Sequence, residues 1–326
     1  MTSRISPATQ LDRNFRTLQR QLKGLKTFGL GELAAIMAQR SATFAAYRHA
    51  GIFASQELES FISAISARNI APNPPNRDAE VGSTLHILSR ALKGGGHTRV
   101  VERWIGASPN SEKHSILITR GGEPTEELQA GVAAHNGEIF IQRKFTSLIG
   151  RAQQILEISM AYSRVVLHVD MDDILPMLAF SGAGQSTQII HFNHADHRFW
   201  VGASLPNRVI EMRSWGKAVS ETKRGIFNSE VVGIPLPGLS YNNELHKSQA
   251  REKLGIPVKR TVLLTAGHSR KYASNTQISF SDAVRELLTG HSERHLYAVG
   301  PGEKLDQNWR SLVSDFPNQV TVLPYL

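Results

Sequence analysis

Thr84-Leu85-His86-Ile87-Leu88 is followed, after five residues, by Gly94-Gly95-Gly96-His97-Thr98-Arg99. The first stretch is a short apolar run of the kind that forms a buried strand. Beyond the glycines, four apolar side chains fall on one helical face: Val100, Val101, Trp104 and Ile105. A strand, a glycine-rich turn and a helix in this order predict the first unit of an open α/β sheet.

The glycine turn has the chemistry of an anion site. Gly95 and Gly96 let backbone N–H groups approach a ligand closely, and a helix N-terminus favours negative charge. His97 adds a titratable ring and Arg99 a fixed positive charge at the same place. The residues therefore indicate a nucleotide or sugar-phosphate site, and they leave a flexible strand-to-helix loop open as the alternative.

The remainder of the chain repeats the alternation of strand and helix. Further strands are expected at 115–119, 139–142, 165–169 and 188–192, with the clearest helix at 145–160. After a linker at 241–244, a second unit is expected with strands at 261–266, 295–299 and 319–323, and with helices at 281–288 and 305–314. Near-continuous apolar strands separated by helices predict parallel sheets covered on both faces.

The first 70 residues are expected to be helical and precede a proline-rich linker at 71–77. Five apolar residues form one stripe at helical spacing: Leu11, Phe15, Leu18, Leu22 and Leu25. Residues 1–50 hold eight basic and two acidic residues, which is most of the net charge of +9. Such a helix docks on its own domain or lies through residues 11–26 on an anionic membrane surface. Nucleic-acid binding is not expected, because the basic residues do not run along the α/β part.

Composition limits the remaining possibilities. The 326 residues are enough for two domains and contain no cysteine, which excludes disulfide and thiolate chemistry. The chain shows neither a signal peptide nor a run long enough to span a membrane, so a cytoplasmic protein is expected. The expected division is a helical extension and linker at 1–80 and α/β domains at 81–240 and 250–326.

A histidine-rich loop follows the strand at 188–192 and reads His191-Phe192-Asn193-His194-Ala195-Asp196-His197-Arg198-Phe199-Trp200. His194 is a candidate proton donor or acceptor, and Asp196 is a candidate to orient an imidazole. Zinc bound by His194, Asp196 and His197 is a weaker interpretation, because the chain offers no second ligand cluster. A capped turn with buried aromatic residues is the structural alternative.

Two further loops carry charged side chains. Gly267-His268-Ser269-Arg270-Lys271 follows the first strand of the second unit, where Arg270 and Lys271 are suited to neutralise a diphosphate or are surface charges. Asp170-Met171-Asp172-Asp173 resembles a carboxylate pair for a divalent ion. Because a helix with Pro176 in its first turn follows, capping of that helix is the preferred interpretation of these aspartates.

The order of these features resembles the bacterial glycosyltransferases of the GT-B fold, which use nucleotide-sugars. The resemblance covers roughly residues 84–326 and excludes the helical N-terminal segment. It rests on short motifs in sequence order: 94–99, 193–200, Arg224-Gly225-Ile226, Ile234-Pro235-Leu236-Pro237 and Leu264-Thr265-Ala266-Gly267.

The resemblance implies two Rossmann-like domains, with the acceptor mainly on the first, the donor mainly on the second, and catalysis in the cleft between them without a bound metal or other cofactor. The acceptor would be a glycan, a lipid-linked sugar or another hydroxyl compound. His194 would stand near the reacting sugar, with Asp196 and His97 as further catalytic candidates. Donor phosphates would lie against six residues: Gly95, Gly96, Arg99, Gly267, Arg270 and Lys271.

One departure from that family affects the second domain. The family's C-terminal domain continues into an acidic segment that grips the donor, whereas this sequence ends at Leu326, so we expect a domain cut short. Two alternatives stay open: a sugar-nucleotide epimerase of similar fold, and a non-catalytic protein that binds anionic surfaces.

Overall fold

The computed structural model describes residues 6–71, 79–93, 95–143, 146–182, 187–233, 246–267, 271–272, 279–301 and 305–324. The chain forms two compact units, residues 1–237 and 238–326. Each contains a parallel sheet, of seven strands in the first and three in the second. The predicted α/β class is confirmed. The helical segment, expected as an extension outside the first α/β domain, belongs to the first unit.

The first unit contains eight α-helices and seven strands among its described residues. The helices are α1 (Pro7–Leu25), α2 (Glu32–Arg48), α3 (Gln56–Asn69), α4 (Gly96–Ala107), α5 (Glu126–Ala134), α6 (Leu148–Ser159), α7 (Leu175–Phe180) and α8 (Ser214–Val219). The strands are β1 (Glu80–Leu88), β2 (Lys113–Ile118), β3 (Ile139–Ile141), β4 (Tyr162–His168), β5 (Gln188–Asn193), β6 (Arg208–Glu211) and β7 (Ser229–Val231).

The strand order of the large sheet is β3-β2-β1-β4-β5-β6-β7. The chain builds outward from β1 to β3 and then returns to place β4 on the other side of β1. The order therefore reverses between β1 and β4, and open α/β sheets bind ligands in the crevice outside the carboxyl ends of the strands at such a point. We call the edge where these strands end the carboxyl edge.

Strands β6 and β7 were not predicted. They have only four and three residues, and polar side chains occupy much of each: Arg208 and Glu211 in β6, Ser229 and Glu230 in β7. β7 lies at one edge of the sheet and pairs with a neighbour on one side only, so it can carry polar residues. A short strand with mixed polarity gives no periodic signal, so its pairing with a neighbour decides its structure.

Helices α1, α2 and α3 pack into the main core of the first unit. Leu18, Leu22 and Leu25 of α1 are each at most 2% exposed and share one cluster with Ile87 of β1 and Val165 of β4. The apolar stripe of the basic helix is thus covered by the protein's own core over most of its length. The sequence left open whether this helix docks on its own domain or lies on a membrane, and in the structure it is docked on its own domain.

Glu32, at the start of α2, joins the helical segment to the α/β part. Its carboxylate accepts hydrogen bonds from the backbone N–H of Leu148 (2.6 Å) and of Ile149 (3.0 Å), the first two residues of α6. A carboxylate at a helix N-terminus satisfies free donors and complements the helix dipole.

Replacing Glu32 with alanine is expected to reduce the free energy of unfolding of the first unit by about 1–2 kcal/mol. Amide hydrogen exchange of the strands β1 and β2 measures this loss. Glu123, which is exposed in a loop, provides the control: its replacement with alanine is expected to change exchange little. Equal effects of the two substitutions would contradict the capping role.

The second unit contains α9 (Lys247–Lys253), β8 (Thr261–Ala266), α10 (Phe280–Leu288), β9 (Arg294–Val299), α11 (Gln307–Asp315) and β10 (Val320–Leu323). Its strands are parallel in the order β10-β9-β8. Its core packs around Leu288, Leu296 and Trp309. The elements predicted from residue 261 onward agree with these bounds to within two residues.

Across the described ranges, no helix combines the length and the apolar character needed to cross a membrane.

Candidate functional site

His97 lies at the reversal point of the strand order, in the first turn of α4 directly beyond β1. Its Nδ1 is 3.2 Å from the backbone carbonyl oxygen of His168, the last residue of β4. Because a carbonyl only accepts, Nδ1 of His97 carries the proton in the neutral ring, and Nε2 holds the free lone pair. The contact connects the turn after β1 with the end of β4.

His194 follows β5 and stacks on His97. The two ring centroids are 3.9 Å apart, with 24° between the planes. Nε2 of His194 is 3.3 Å from Nδ1 of His168, and its ring also packs against Phe192. The structure thus brings together two of the three predicted catalytic side chains, from loops almost one hundred residues apart in sequence.

The surroundings of these two rings disfavour the imidazolium form. Burial lowers the pKa of His97, although Asp170 and the His168 carbonyl act in the opposite direction. Burial also lowers the pKa of His194 well below its ordinary value, and the neighbouring His97 and His168 add to this effect. Both imidazoles are therefore neutral near neutral pH, and each keeps one nitrogen lone pair that can accept a hydrogen bond or a proton.

The N-terminus of α4 adjoins the histidine pair. Gly95 is its N-cap residue, no side chain caps the helix, and its first turn contains no acidic residue. A Cβ on Gly95 would lie 3.0 Å from the carbonyl oxygen of Leu92, whereas Gly96 has open space at that position. Arg99 is exposed on the same helix. Gly95, Gly96 and Arg99 thus lie at a helix N-terminus suited to an anion.

Asp196, predicted to orient an imidazole of the site, is instead held by an arginine. Arg213 donates to its carboxylate through Nε and, at 2.8 Å, through Nη2, and Nδ1 of His197 lies 3.3 Å from Oδ1. Among the described residues, His168 and not Asp196 lies within hydrogen-bond distance of a nitrogen of His194. The sequence could not show this, because Arg213 lies beyond the loop, after β6.

The Arg213 guanidinium lowers the pKa of Asp196. The folded state then binds fewer protons than the unfolded state, so this carboxylate stabilises the fold above its unfolded pKa of about 4. We expect stability to fall as the pH drops from about 4 through the lower folded pKa. In Arg213→Gln, acid titration of the unfolding free energy should show a shallower fall, and an unchanged titration curve would contradict this pairing.

The aspartates of 170–173 are part of a buried polar network more than a helix cap. Asp173 precedes the N-cap residue Ile174 and accepts one hydrogen bond from the N–H of Leu175 (3.2 Å), the first residue of α7. The same carboxylate accepts from Ser89 (2.6 Å) and Thr119 (2.8 Å). The capping interpretation thus explains one of its contacts. Arg120, which the sequence analysis did not single out, forms ion pairs with both Asp172 and Asp173 and so connects the two carboxylates of this network.

In the second unit, Gly267 directly follows β8 and donates its N–H to the carbonyl of Val299 (2.9 Å). Lys271 is exposed, and its side chain lies close enough to Gly267 that a Cβ there would be 2.9 Å from the lysine Cδ. The predicted phosphate ligand Arg270 lies outside the described residues. Gly267 and Lys271 are therefore neighbours at the end of the first strand of this sheet.

No group of three or more His, Cys, Asp or Glu side chains is placed to hold a metal ion in the described part of the chain. The zinc interpretation of the loop also conflicts with its geometry, because His194 faces His97 and His168 whereas Asp196 is bound by Arg213. The expectation that the reaction needs no metal remains a prediction.

The sequence matches no protein-family model and no curated protein. Solved structures with a similar fold include a glycosyltransferase from Rickettsia africae, at 12% identity and TM-score 0.51, with 76% of this chain and 69% of that one covered. HepE from Anabaena in complex with UDP and glucose is 13% identical, with TM-score 0.47 and coverage of 74% and 69%. A UDP-GlcNAc 2-epimerase from Neisseria meningitidis bound to UDP-GlcNAc is 14% identical, with TM-score 0.47 and coverage of 75% and 72%. The fold is therefore shared with a solved glycosyltransferase.

Proposed function

We propose that this protein is a glycosyltransferase that moves a sugar from a nucleotide-sugar to a hydroxyl group of an acceptor. The observation that carries the proposal is the stacked pair of neutral imidazoles, His97 and His194, beside an uncapped helix N-terminus at the reversal point of a parallel sheet. A proton acceptor and an anion site placed together are what glycosyl transfer from a diphosphate donor requires.

In the proposed reaction, the acceptor hydroxyl loses its proton to an imidazole as its oxygen attacks the anomeric carbon of the donor sugar. The bond from that carbon to the diphosphate oxygen breaks, and the diphosphate leaves with the bonding electrons. His194 is the first candidate for the proton acceptor and His97 the second. The helix N-terminus at Gly95 and Gly96 stabilises the negative charge of a phosphate.

The remaining predicted contacts are part of the same proposal. Lys271 and Arg270 would neutralise the diphosphate, with Gly267 leaving room for it, as the resemblance to the GT-B enzymes implies. Arg99 would add charge near the α4 N-terminus. Asp196 would act through the loop that it anchors with Arg213, since its carboxylate is already occupied.

The test is turnover of the full chain with a panel of UDP-, GDP-, dTDP- and ADP-sugars, with and without simple hydroxyl acceptors. Release of nucleoside diphosphate together with a new glycosidic bond, detected by NMR, is the expected result. Conversion of the donor sugar in the absence of acceptor would instead establish the epimerase alternative. Absence of both reactions across the panel, combined with binding to anionic vesicles that requires residues 11–26, would favour a non-catalytic protein.

A further inference from the structure

The site histidines continue into the core as a row of buried imidazoles. Nε2 of His194 is 3.3 Å from Nδ1 of His168, and Nε2 of His168 is 3.2 Å from Nδ1 of His86. Nε2 of His86 is in turn 3.0 Å from Nδ1 of His114. We call these four residues the histidine chain. His86, His114 and His168 are fully buried.

The parallel sheet explains how the histidine chain is built. His86 lies on β1, His114 near the start of β2 and His168 at the end of β4, so the row runs diagonally across three neighbouring strands. The apolar residues that alternate with His86, Leu85 and Ile87, belong to the main core on the other face of the sheet. The histidines therefore share the face covered by α4, whose Trp104 packs edge-on against His86 and His168.

The histidine chain ends near the carboxylate of Glu112, on the edge of the sheet opposite the carboxyl edge. Nε2 of His114 lies 3.5 Å from Oε2 of Glu112, the residue that precedes β2, and the Glu112 side chain is 34% exposed. Within the described ranges this buried nitrogen has no hydrogen-bond partner in the static structure, so its 3.5 Å approach to Glu112 must shorten before a proton can pass. Through Glu112, the His114 end of the row is close to solvent. The His194 end lies at the carboxyl edge.

All contacts in the row have the same polarity, from Nε2 of one ring to Nδ1 of the next. A neutral imidazole has one N–H donor and one lone pair. If one ring donates through Nε2, the next accepts at Nδ1 and must itself donate through Nε2. A carboxylate only accepts, so a hydrogen bond from Nε2 of His114 to Glu112, 3.5 Å away, would select the Nε2–H form in every ring and leave Nδ1 of His194 as a free lone pair.

The surroundings keep the rings neutral. Burial is the largest cause that lowers the pKa of His86 and of His168 well below the ordinary value, and that lowers the pKa of His114 to about 4. The titratable or charged groups around the row are His135 directly after α5, His97 of α4, His191 of β5, Arg164 of β4 and Asp170. Nη2 of Arg164 also lies 3.3 Å from Oε2 of Glu112.

We propose that the histidine chain is a proton relay between the carboxyl edge and Glu112, in which His86, His114 and His168 act as positioning residues for His194. Its role in turnover rests on the proposed transferase function, whereas its existence does not. When Nδ1 of His194 takes up a proton, Nε2–H of each ring passes its own proton to Nδ1 of the next. The last proton goes from Nε2 of His114 to the Glu112 carboxylate.

After this transfer the four rings are again neutral, each now in the Nδ1–H form, and one proton has moved from the site to Glu112. The same path in reverse restores the Nε2–H forms once the product has left, with Glu112 returning the proton and His194 releasing one into the emptied site. No oxidant, reductant or further reactant is needed for either direction.

NMR of the full chain with isotope-labelled histidine tests the relay without any substrate, because the ring nitrogen shifts separate a protonated nitrogen from a bare one. The expected result is the Nε2–H form in all four rings near neutral pH. A single ring of the chain in the Nδ1–H form would overturn the proposal. This measurement uses the unaltered protein and so does not depend on a variant that folds.

Glu112→Ala removes the acceptor at the far end, and we expect mixed ring forms not only at His114 but also at His194, three hydrogen bonds away. Glu138→Ala is the matched control, because Glu138 is exposed at the same edge of the sheet before β3. Unchanged His194 signals in Glu112→Ala would overturn the relay, whether or not those of His114 change.

If turnover is found, Glu112→Ala should lower kcat about tenfold at unchanged KM, a fraction of what a positioned base contributes. Unaltered kcat in this variant would overturn the role of the relay in turnover. A protein with coupled ring forms but no activity toward any donor would instead contradict the proposed transferase function and leave the relay standing.

Discussion

Replacing His194 with phenylalanine is expected to lower the rate of sugar transfer by about 100- to 10,000-fold, the usual contribution of a positioned acid or base. Phenylalanine keeps a ring that can stack on His97 and pack against Phe192, so the fold should persist. What the substitution removes is the lone pair that accepts the acceptor's proton. The loss should therefore appear in kcat more than in KM.

His291→Gln provides the control for this experiment, because the His291 side chain lies before β9 in the second unit, is 45% exposed and pairs with Glu293 at the surface. Its turnover should match that of the unaltered protein. His97→Phe, assayed beside it, distinguishes the two candidates for the proton acceptor, since the larger loss of kcat identifies the base. Turnover of His194→Phe within threefold of the unaltered protein would contradict the assignment of His194.

The largest effect on stability is expected at Arg120. Its guanidinium donates to Oδ1 of Asp172 (2.9 Å), to the backbone oxygen of Asp172 (3.1 Å) and to the amide oxygen of Gln39 (3.0 Å). It also lies 3.5 Å from Asp173, which is fully buried. Arg120→Met leaves two buried carboxylates without their cation, a change that typically costs about 3–5 kcal/mol.

Amide hydrogen exchange of β1 and β2 measures that loss in the first unit. Arg40→Met is the matched control, because Arg40 is exposed on α2 next to Gln39 and its replacement should change stability by less than about 0.5 kcal/mol. If the two substitutions lowered protection equally, Arg120 would not be the residue that holds the aspartates together.

The sequence predicts the sheet well because each central strand is an apolar run closed by a polar loop. The loops at the ends of β1 and β5 follow from the same pattern, which is why His97 and His194 could be named as candidates, and the structure places their rings together. The partners of Asp172 could not be predicted in this way, since Gln39 and Thr43 lie on α2, about 130 residues earlier. Contacts of this kind depend on tertiary packing and leave no periodic signal.

The N-terminal helix shows a different limit of sequence reasoning. An apolar stripe beside arginines and lysines has the same pattern whether the helix docks on a core or lies on a membrane. The fold distinguishes the two, because α1 packs against α2 and α3 and its Leu18, Leu22 and Leu25 are buried in the main core. The sequence does contain an indication of the histidine chain that the sequence analysis overlooked. His86 lies within the predicted strand at 84–88, and His114 directly precedes the predicted strand at 115–119, so both were expected near the buried sheet.

Titration of the full chain with UDP, GDP, dTDP and ADP, followed through the ring nitrogen signals of labelled histidines, tests the proposed site most directly. These diphosphates are the part that nucleotide-sugar donors share, so the test does not depend on the right sugar. The account predicts that at least one diphosphate shifts the signals of His97 and His194 and leaves those of His291 unchanged. Binding that shifts only other histidines, or no binding by any of the four, would contradict it.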